Sequence, residues 1–75
     1  MSKEYRINGE AVYKNRKEKD YTQEELSELS GVSRSQIQRI EKGFAMNCKI
    51  DTFMKISVAL EVDWKELIYR GEIRE

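Results

Sequence analysis

Along this chain, stretches in which apolar residues return every three or four positions alternate with shorter polar stretches that open on cap-forming side chains. Such a pattern predicts a succession of short amphipathic helices. Asn8 caps the first, which runs to about Lys19 and carries Val12 and Arg16 on one face at the i, i+4 spacing. Thr22-Gln23-Glu24-Glu25 has the form of a capping box, with acids in the first turn where the helix dipole favours them. Leu26 and Leu29 give this second helix its apolar stripe. Gly31 then stops it, because a glycine past the last periodic residue reaches a left-handed backbone at no steric cost. Val32 falls in the turn, and Ser33 caps a third helix from Arg34 to about Lys42, with Ile37, Ile40 and the stem of Glu41 inward and Gly43 at its end.

Phe44 to Lys49 reads as irregular. Ile50, Phe53, Ile56, Ser57 and Leu60 line the inner face of a fourth helix. Asp63 caps a fifth, with Glu66 completing a second capping box and Trp64, Leu67 and Ile68 as its apolar content. The expectation is a compact all-α domain of five helices over residues 9–68, with a central helix-turn-helix, an N-terminal arm over 1–8 and a tail over 69–75. Tyr5 and Ile7 alternate with polar neighbours and Gly71 precedes Ile73, which allows short strands pairing the two termini. A frayed end is the preferred reading of the tail.

Seventy-five residues suffice for one core only. Cys48 is the single cysteine and histidine is absent, so neither a disulfide nor an ordinary structural zinc site is expected, and no cofactor is anticipated. Cys48 itself reads as a reduced loop thiol. No apolar stretch is long enough to span a bilayer, and MSKEYRING lacks the apolar core of a secretory signal. The reducing cytoplasm is the expected compartment, and no membrane partner is expected.

Lysines plus arginines and aspartates plus glutamates number 14 each, for a net charge of zero. That sum argues against a strongly basic nucleic-acid binder, yet the distribution says more. Tyr21 to Ser30 hold three acids and no base, whereas Gly31 to Lys49 hold four bases and one acid. A positive face can thus meet phosphates while the rest of the surface stays acidic. The outer face of the third helix reads Arg34, Ser35, Gln38, Arg39 and Lys42, without an acid. Arginine can donate two bonds to guanine, glutamine can pair with adenine, and serine can serve either. A solvated helix face normally mixes glutamate with lysine. Behind that face, two short helices joined at a glycine cross steeply, and the small Ser27 sits at the crossing.

The run TQEELSELSGVSRSQIQRIEKG resembles the helix-turn-helix core of the Cro and phage-repressor (XRE-like) family of bacterial DNA-binding proteins, and the similarity continues through KIDTFMKISVALEVDWKELI. It covers about Gly9 to Ile68, and many positions agree in register, among them Thr22-Gln23, Leu26, Gly31-Val32-Ser33, Ile37, Ile40-Glu41 and Gly43. The resemblance implies that Arg34, Ser35 and Arg39 read base edges, with Gln38 as a fourth reader, and that Gln23 holds a phosphate at a helix N-terminus. Thr22, Ser33, Lys42, Asn47 and Lys49 complete the expected phosphate contacts. It also implies an ion pair between Arg16 and Glu41 that holds the reading helix in place; the plainer alternative for Arg16 is a surface charge. Asn15, Ser27 and Ser57 depart from the more apolar residues usual in relatives, so modest stability is expected. Phe44 to Lys49 carries one base only, where relatives often have several.

Trp64, Leu67, Ile68 and Tyr69 form a patch too apolar to stay free in so small a domain. They either close the core or meet a second copy, and a divided role is preferred, since relatives dimerise through this region. Phe44, Met46 and Phe53 read as core packing in preference to a ligand pocket. An enzyme is not expected: there is no histidine and no thiol–base pair, and the acids sit at helix ends or solvated faces. No small-molecule effector is expected either. The sequence therefore reads as a homodimeric DNA-binding regulator, most simply a repressor, that takes double-stranded operator DNA as its partner. The rival is a protein-interaction module, an antitoxin or adaptor, that reuses the fold. The acid-free face of the third helix favours the former.

Overall fold

The computed structural model describes residues 4–43 and 47–69. Its elements are β1 (Glu4–Arg6), α1 (Gly9–Glu18), α2 (Gln23–Ser30), α3 (Arg34–Glu41), β2 (Asn47–Lys49) and α4 (Ile50–Leu60), followed by a 3-10 turn over Trp64–Leu67. The first three helices begin where a short polar side chain can take an otherwise free N–H, whereas α4 follows Lys49 without a side-chain cap. Asn8 Oδ1 accepts from the N–H groups of Glu10 and Ala11 at 3.0 and 3.2 Å. Thr22 Oγ1 accepts from Glu25 N–H at 3.0 Å while Glu25 Oε1 accepts from Thr22 N–H at 2.8 Å, so the capping box is complete. Ser33 Oγ accepts from Gln36 N–H at 3.2 Å. Between α2 and α3, Gly31 adopts φ +78°, a left-handed turn that a side chain would strain.

The core gathers Val12, Leu26, Ile37, Ile40, Phe53, Ile56, Leu60 and Leu67, all fully buried. Each such side chain stabilises the fold by about 1.5–3 kcal/mol on leaving water. α2 packs on both α3 and α4, and α1 packs on α3 and the 3-10 turn. Its inward line is Leu26 and Ser30, one turn apart, so Leu29 falls outside it and is 57% exposed. The expected stripe of Leu26 and Leu29 is thereby corrected: Ser30 takes the inner place, and its hydroxyl accepts from Val32 N–H at 3.1 Å. The other polar substitutions in the core are satisfied locally. Asn15 Nδ2 donates to Ala11 O at 2.8 Å, Ser27 Oγ to Val32 O at 2.7 Å, and Ser57 Oγ to Met54 O at 3.1 Å. Their side-chain polarity therefore leaves no unpaired group behind.

Two further expectations are corrected. Among the described residues there are four α-helices and not five, because the segment capped by Asp63 makes one 3-10 turn and then runs extended. Asp63 Oδ1 does accept from Lys65 N–H at 3.0 Å. The chain is pulled straight at Ile68 because it runs antiparallel to residues 6–8: Tyr69 N–H donates to Arg6 O and Asn8 N–H donates to Leu67 O, each at 2.7 Å. The second correction concerns the arm. Residues Glu4–Arg6 pair antiparallel with Asn47–Lys49, Tyr5 opposite Cys48, and Ile7 bridges to Ile68. The two terminal regions do meet, but at one bridge, and the main partner of β1 is the segment read as irregular. Alternation explains it: Tyr5 and Ile7 turn inward, where Tyr5 packs on Phe53 and Trp64 at ring-centroid distances of 6.2 and 5.7 Å. Phe44 and Met46, and the tail beyond Tyr69, lie outside the described residues.

Gly9 carries a role that its sequence context did not signal. A Cβ built on it would lie 1.8 Å from the carbonyl oxygen of Ile40. The first turn of α1 therefore rests directly on the last turn of α3, backbone against backbone.

Candidate nucleic-acid interface

α3 divides into two faces because its apolar residues recur at the helical period. Ile37 and Ile40 enter the core, and Arg34, Ser35, Arg39 and Lys42 are exposed, with Gln38 half-buried. Positions 34, 35, 38, 39 and 42 follow one another down a single side of the helix. All four expected base readers thus share the surface that packing leaves open. No acid of α3 itself lies on that surface, but one from α2 borders it: Glu24 Oε1 stands 4.0 Å from Arg34 Nη1, both side chains exposed.

The C-terminal end of α3 is held by a buried charge network. Arg16 Nε and Nη2 donate to the two carboxylate oxygens of Glu41 at 2.8 and 2.9 Å, a bidentate pair. The remaining Arg16 Nη1 donates to Tyr21 O at 2.7 Å, and Gln23 Nε2 donates to Glu41 Oε1 at 3.0 Å. The side chains of Arg16 and Glu41 are only 9% and 5% exposed, so the surface-charge alternative for Arg16 is set aside. Hydrogen bonding to Glu41 raises the Arg16 pKa, against the opposing effect of its burial. Four segments meet here: α1, the turn at Tyr21, the start of α2 and the end of α3. The contributions of Tyr21 and Gln23 were not legible: a backbone carbonyl acceptor has no sequence signature, and the donor role of the Gln23 amide depends on where α3 places Glu41.

Of the expected phosphate ligands, Thr22, Ser33 and Lys42 are exposed and Gln23 is half-buried. The hydroxyls of Thr22 and Ser33 accept from their own helices and keep an O–H to donate. Gln23 gives one Nε2 hydrogen to Glu41 and keeps the other, beside N–H groups of the first helical turn that have no intrahelical partner by position. Asn47 and Lys49 are exposed on β2, either side of the buried Cys48. Burial raises the Cys48 thiol pKa, which makes it a poor nucleophile.

Of the four expected dimer residues, three reach the surface at least in part and one does not. Leu67 is completely buried and has nothing to offer a second copy, a correction to its place in that patch. Trp64 and Ile68 are half-buried against the core, and Trp64 is drawn in by Phe53 at 6.0 Å as well as by Tyr5. Tyr69 stays 39% exposed with the Arg6 guanidinium 4.7 Å above its ring. Among the described residues no helix is long and apolar enough to cross a membrane.

Two short helices, a left-handed glycine between them and an unpacked polar face on the second define a helix-turn-helix protein. The Helix-turn-helix family model matches residues 12–67, and the chain belongs to that family. It is 40% identical over 52 residues to the HTH-type transcriptional regulator SlrR of Bacillus subtilis (strain 168), covering 69% of this chain and 34% of SlrR. It is 35% identical over 60 residues to the HTH-type transcriptional regulator SinR of the same organism, covering 80% of this chain and 54% of SinR. The chain thus spans about half the length of SinR and a third of SlrR. Among solved structures, SinR in complex with DNA superposes with a TM-score of 0.73 at 35% identity, over 76% of this chain and 90% of that one. The restriction-modification controller protein C.AhdI of Aeromonas hydrophila gives 0.72 at 32% identity, over 80% and 89%.

Proposed function

We propose that this protein is a sequence-specific regulator of transcription that binds double-stranded DNA as a homodimer, with α3 in the major groove, and represses by occupying its operator. The observation that carries the reading is the open face of α3, where Arg34, Ser35, Gln38 and Arg39 stand together with hydrogen-bonding groups suited to base edges. The similarity to SinR, whose structure was solved in complex with DNA, supports it. Thr22, Gln23, Ser33 and Lys42, with Asn47 and Lys49 on β2, supply the phosphate contacts that fix register. The Arg16–Glu41 pair touches no DNA; it holds α3 and the α2 N-terminus in one arrangement. Two copies related by a two-fold axis read half-sites about 34 Å apart, joined through the exposed edges of Trp64, Ile68 and Tyr69. Zero net charge keeps sequence-independent attraction modest, so discrimination rests on base contacts doubled by the dimer.

The test is a fluorescence titration of the protein against duplexes from the DNA flanking its own gene and against random duplex, at several salt concentrations. Tighter binding to one flanking duplex is expected. Binding indifferent to sequence, or none at low salt, overturns the reading and returns the chain to the protein-interaction class, of which the SinR–SinI complex is a structural neighbour at a TM-score of 0.77. Arg39→Ala is expected to weaken the preferred site by about 1–3 kcal/mol and relax discrimination there. Gln23→Ala weakens all sequences alike. Sedimentation of the protein–duplex complex should give two copies per site.

A further inference from the structure

Arg34 occupies the first position of α3, where the positive end of the helix dipole disfavours a cation. Glu24 sits in the first turn of α2, where the dipole favours an acid, and within the capping box it is Glu25, not Glu24, that serves Thr22. The carboxylate of Glu24 faces the Arg34 guanidinium at 4.0 Å, too long for a hydrogen bond but close enough to offset its charge. Arg34 therefore keeps its donors while its attraction for an anion is reduced. A phosphate approaching Arg34 also approaches Glu24 and is repelled by it. A guanine edge is neutral, offers two acceptors, and meets no such penalty.

Resting on the DNA-binding reading above, we propose that Glu24 is a specificity-determining residue, which biases Arg34 toward base edges by opposing phosphate contact beside it. It acts as a positioning residue, through the charge of Arg34 and not through its own contact with a base. The experiment measures affinity for the preferred duplex and for random duplex in wild type, E24Q, E28Q, R34A and E24Q/R34A. Glu28 is an exposed acid one turn further along α2, outside the Arg34–Glu24 pair, and controls for net charge.

E24Q is expected to tighten random-duplex binding about three- to fivefold and the preferred duplex less, so that the ratio between them falls. Its thermal midpoint should fall by at most a few degrees, as for loss of one first-turn acid, E28Q should keep the wild-type ratio, and the effect of E24Q on the ratio should vanish beside R34A. An unchanged ratio in E24Q, an equal fall in E28Q, or a fall that persists beside R34A overturns the assignment. A wild type with no preferred duplex overturns the DNA reading itself, whereas a preferred duplex with an unaltered E24Q ratio overturns only the role of Glu24.

Discussion

The two ends of α3 are built differently. At its C-terminal end the backbone of Ile40 lies against Gly9, and the carboxylate of Glu41 is held by Arg16 on two oxygens and by Gln23 on one of them. At its N-terminal end, the Ser33 cap and the loose approach of Glu24 to Arg34 are the polar contacts that hold it. One end is anchored in the domain and the other is presented to the outside. A helix held in this way keeps its orientation while the side chains of its first turns remain free to be matched to a partner surface. If α3 reads DNA as proposed, its orientation is set by contacts that lie off its open face.

The comparison breaks most severely at Glu41. Glu41→Ala leaves the Arg16 guanidinium buried without a counter-charge and is expected to cost about 3–5 kcal/mol, read as a fall in the urea midpoint. Replacing both partners, Arg16→Met with Glu41→Leu, should recover much of that loss, because no charge is then stranded. A double variant as unstable as Glu41→Ala would show that the network is needed for packing and not for charge balance. Gly9→Ala comes next. Its methyl group must displace the Ile40 carbonyl, and overpacking of this kind costs about 1–3 kcal/mol. Alanine is ordinarily the better helix former, so a stabilised Gly9→Ala variant would refute the close approach outright.

Much of this arrangement was legible beforehand, and what was missed shares a physical cause. Asn8, Thr22, Gly31 and Ser33 act through backbone groups within a few residues of themselves, so their spacing alone announced the helix ends. The Arg16–Glu41 pair was reached through family resemblance, and both residues fall on inward faces. Leu29 and Ser30 exchanged places because a helix wedged between two neighbours selects its inner line by their position, which the period of α2 leaves open to within one residue. The pairing of β1 with β2 depends on contacts more than forty residues apart, and three-residue strands carry too little alternation to announce a partner. The close approach at Gly9 gave no sign of itself, since the atom it must avoid belongs to Ile40. The approach of Glu24 to Arg34 went unnoticed for the same reason: the face of α3 was free of acids along its own sequence, and the acid that borders it comes from another helix.

At the presented end of α3 the expected loss is smaller. Ser33→Ala removes the acceptor for Gln36 N–H and should cost about 1 kcal/mol, with hydrogen exchange rising first at the start of α3. If the loss matched that of Glu41→Ala, the two ends would be equally anchored and the contrast between them would fall.

The smallest effect is expected at the Lys19–Glu61 pair, which has the chemistry of Arg16–Glu41 without its burial. Lys19 Nζ lies 2.6 Å from Glu61 Oε1, yet both groups are solvated. Hydrogen bonding to Lys19 lowers the Glu61 carboxyl pKa, and hydrogen bonding to Glu61 raises that of Lys19. The depressed acid contributes above the ordinary carboxylate range and loses its contribution as pH falls through its folded value. The raised lysine contributes below the ordinary lysine value and loses its contribution as pH climbs through its folded one. The pair therefore acts across the neutral range and fades at both ends. Exposed pairs of this kind are screened by salt and contribute little. Lys19→Ala should leave the urea midpoint within error of wild type while the Glu61 carboxyl, followed by carbon NMR, titrates back at its ordinary position. A loss of stability comparable to Glu41→Ala would mean that burial is not what separates the two pairs, and that proximity of charges alone decides their strength in this domain.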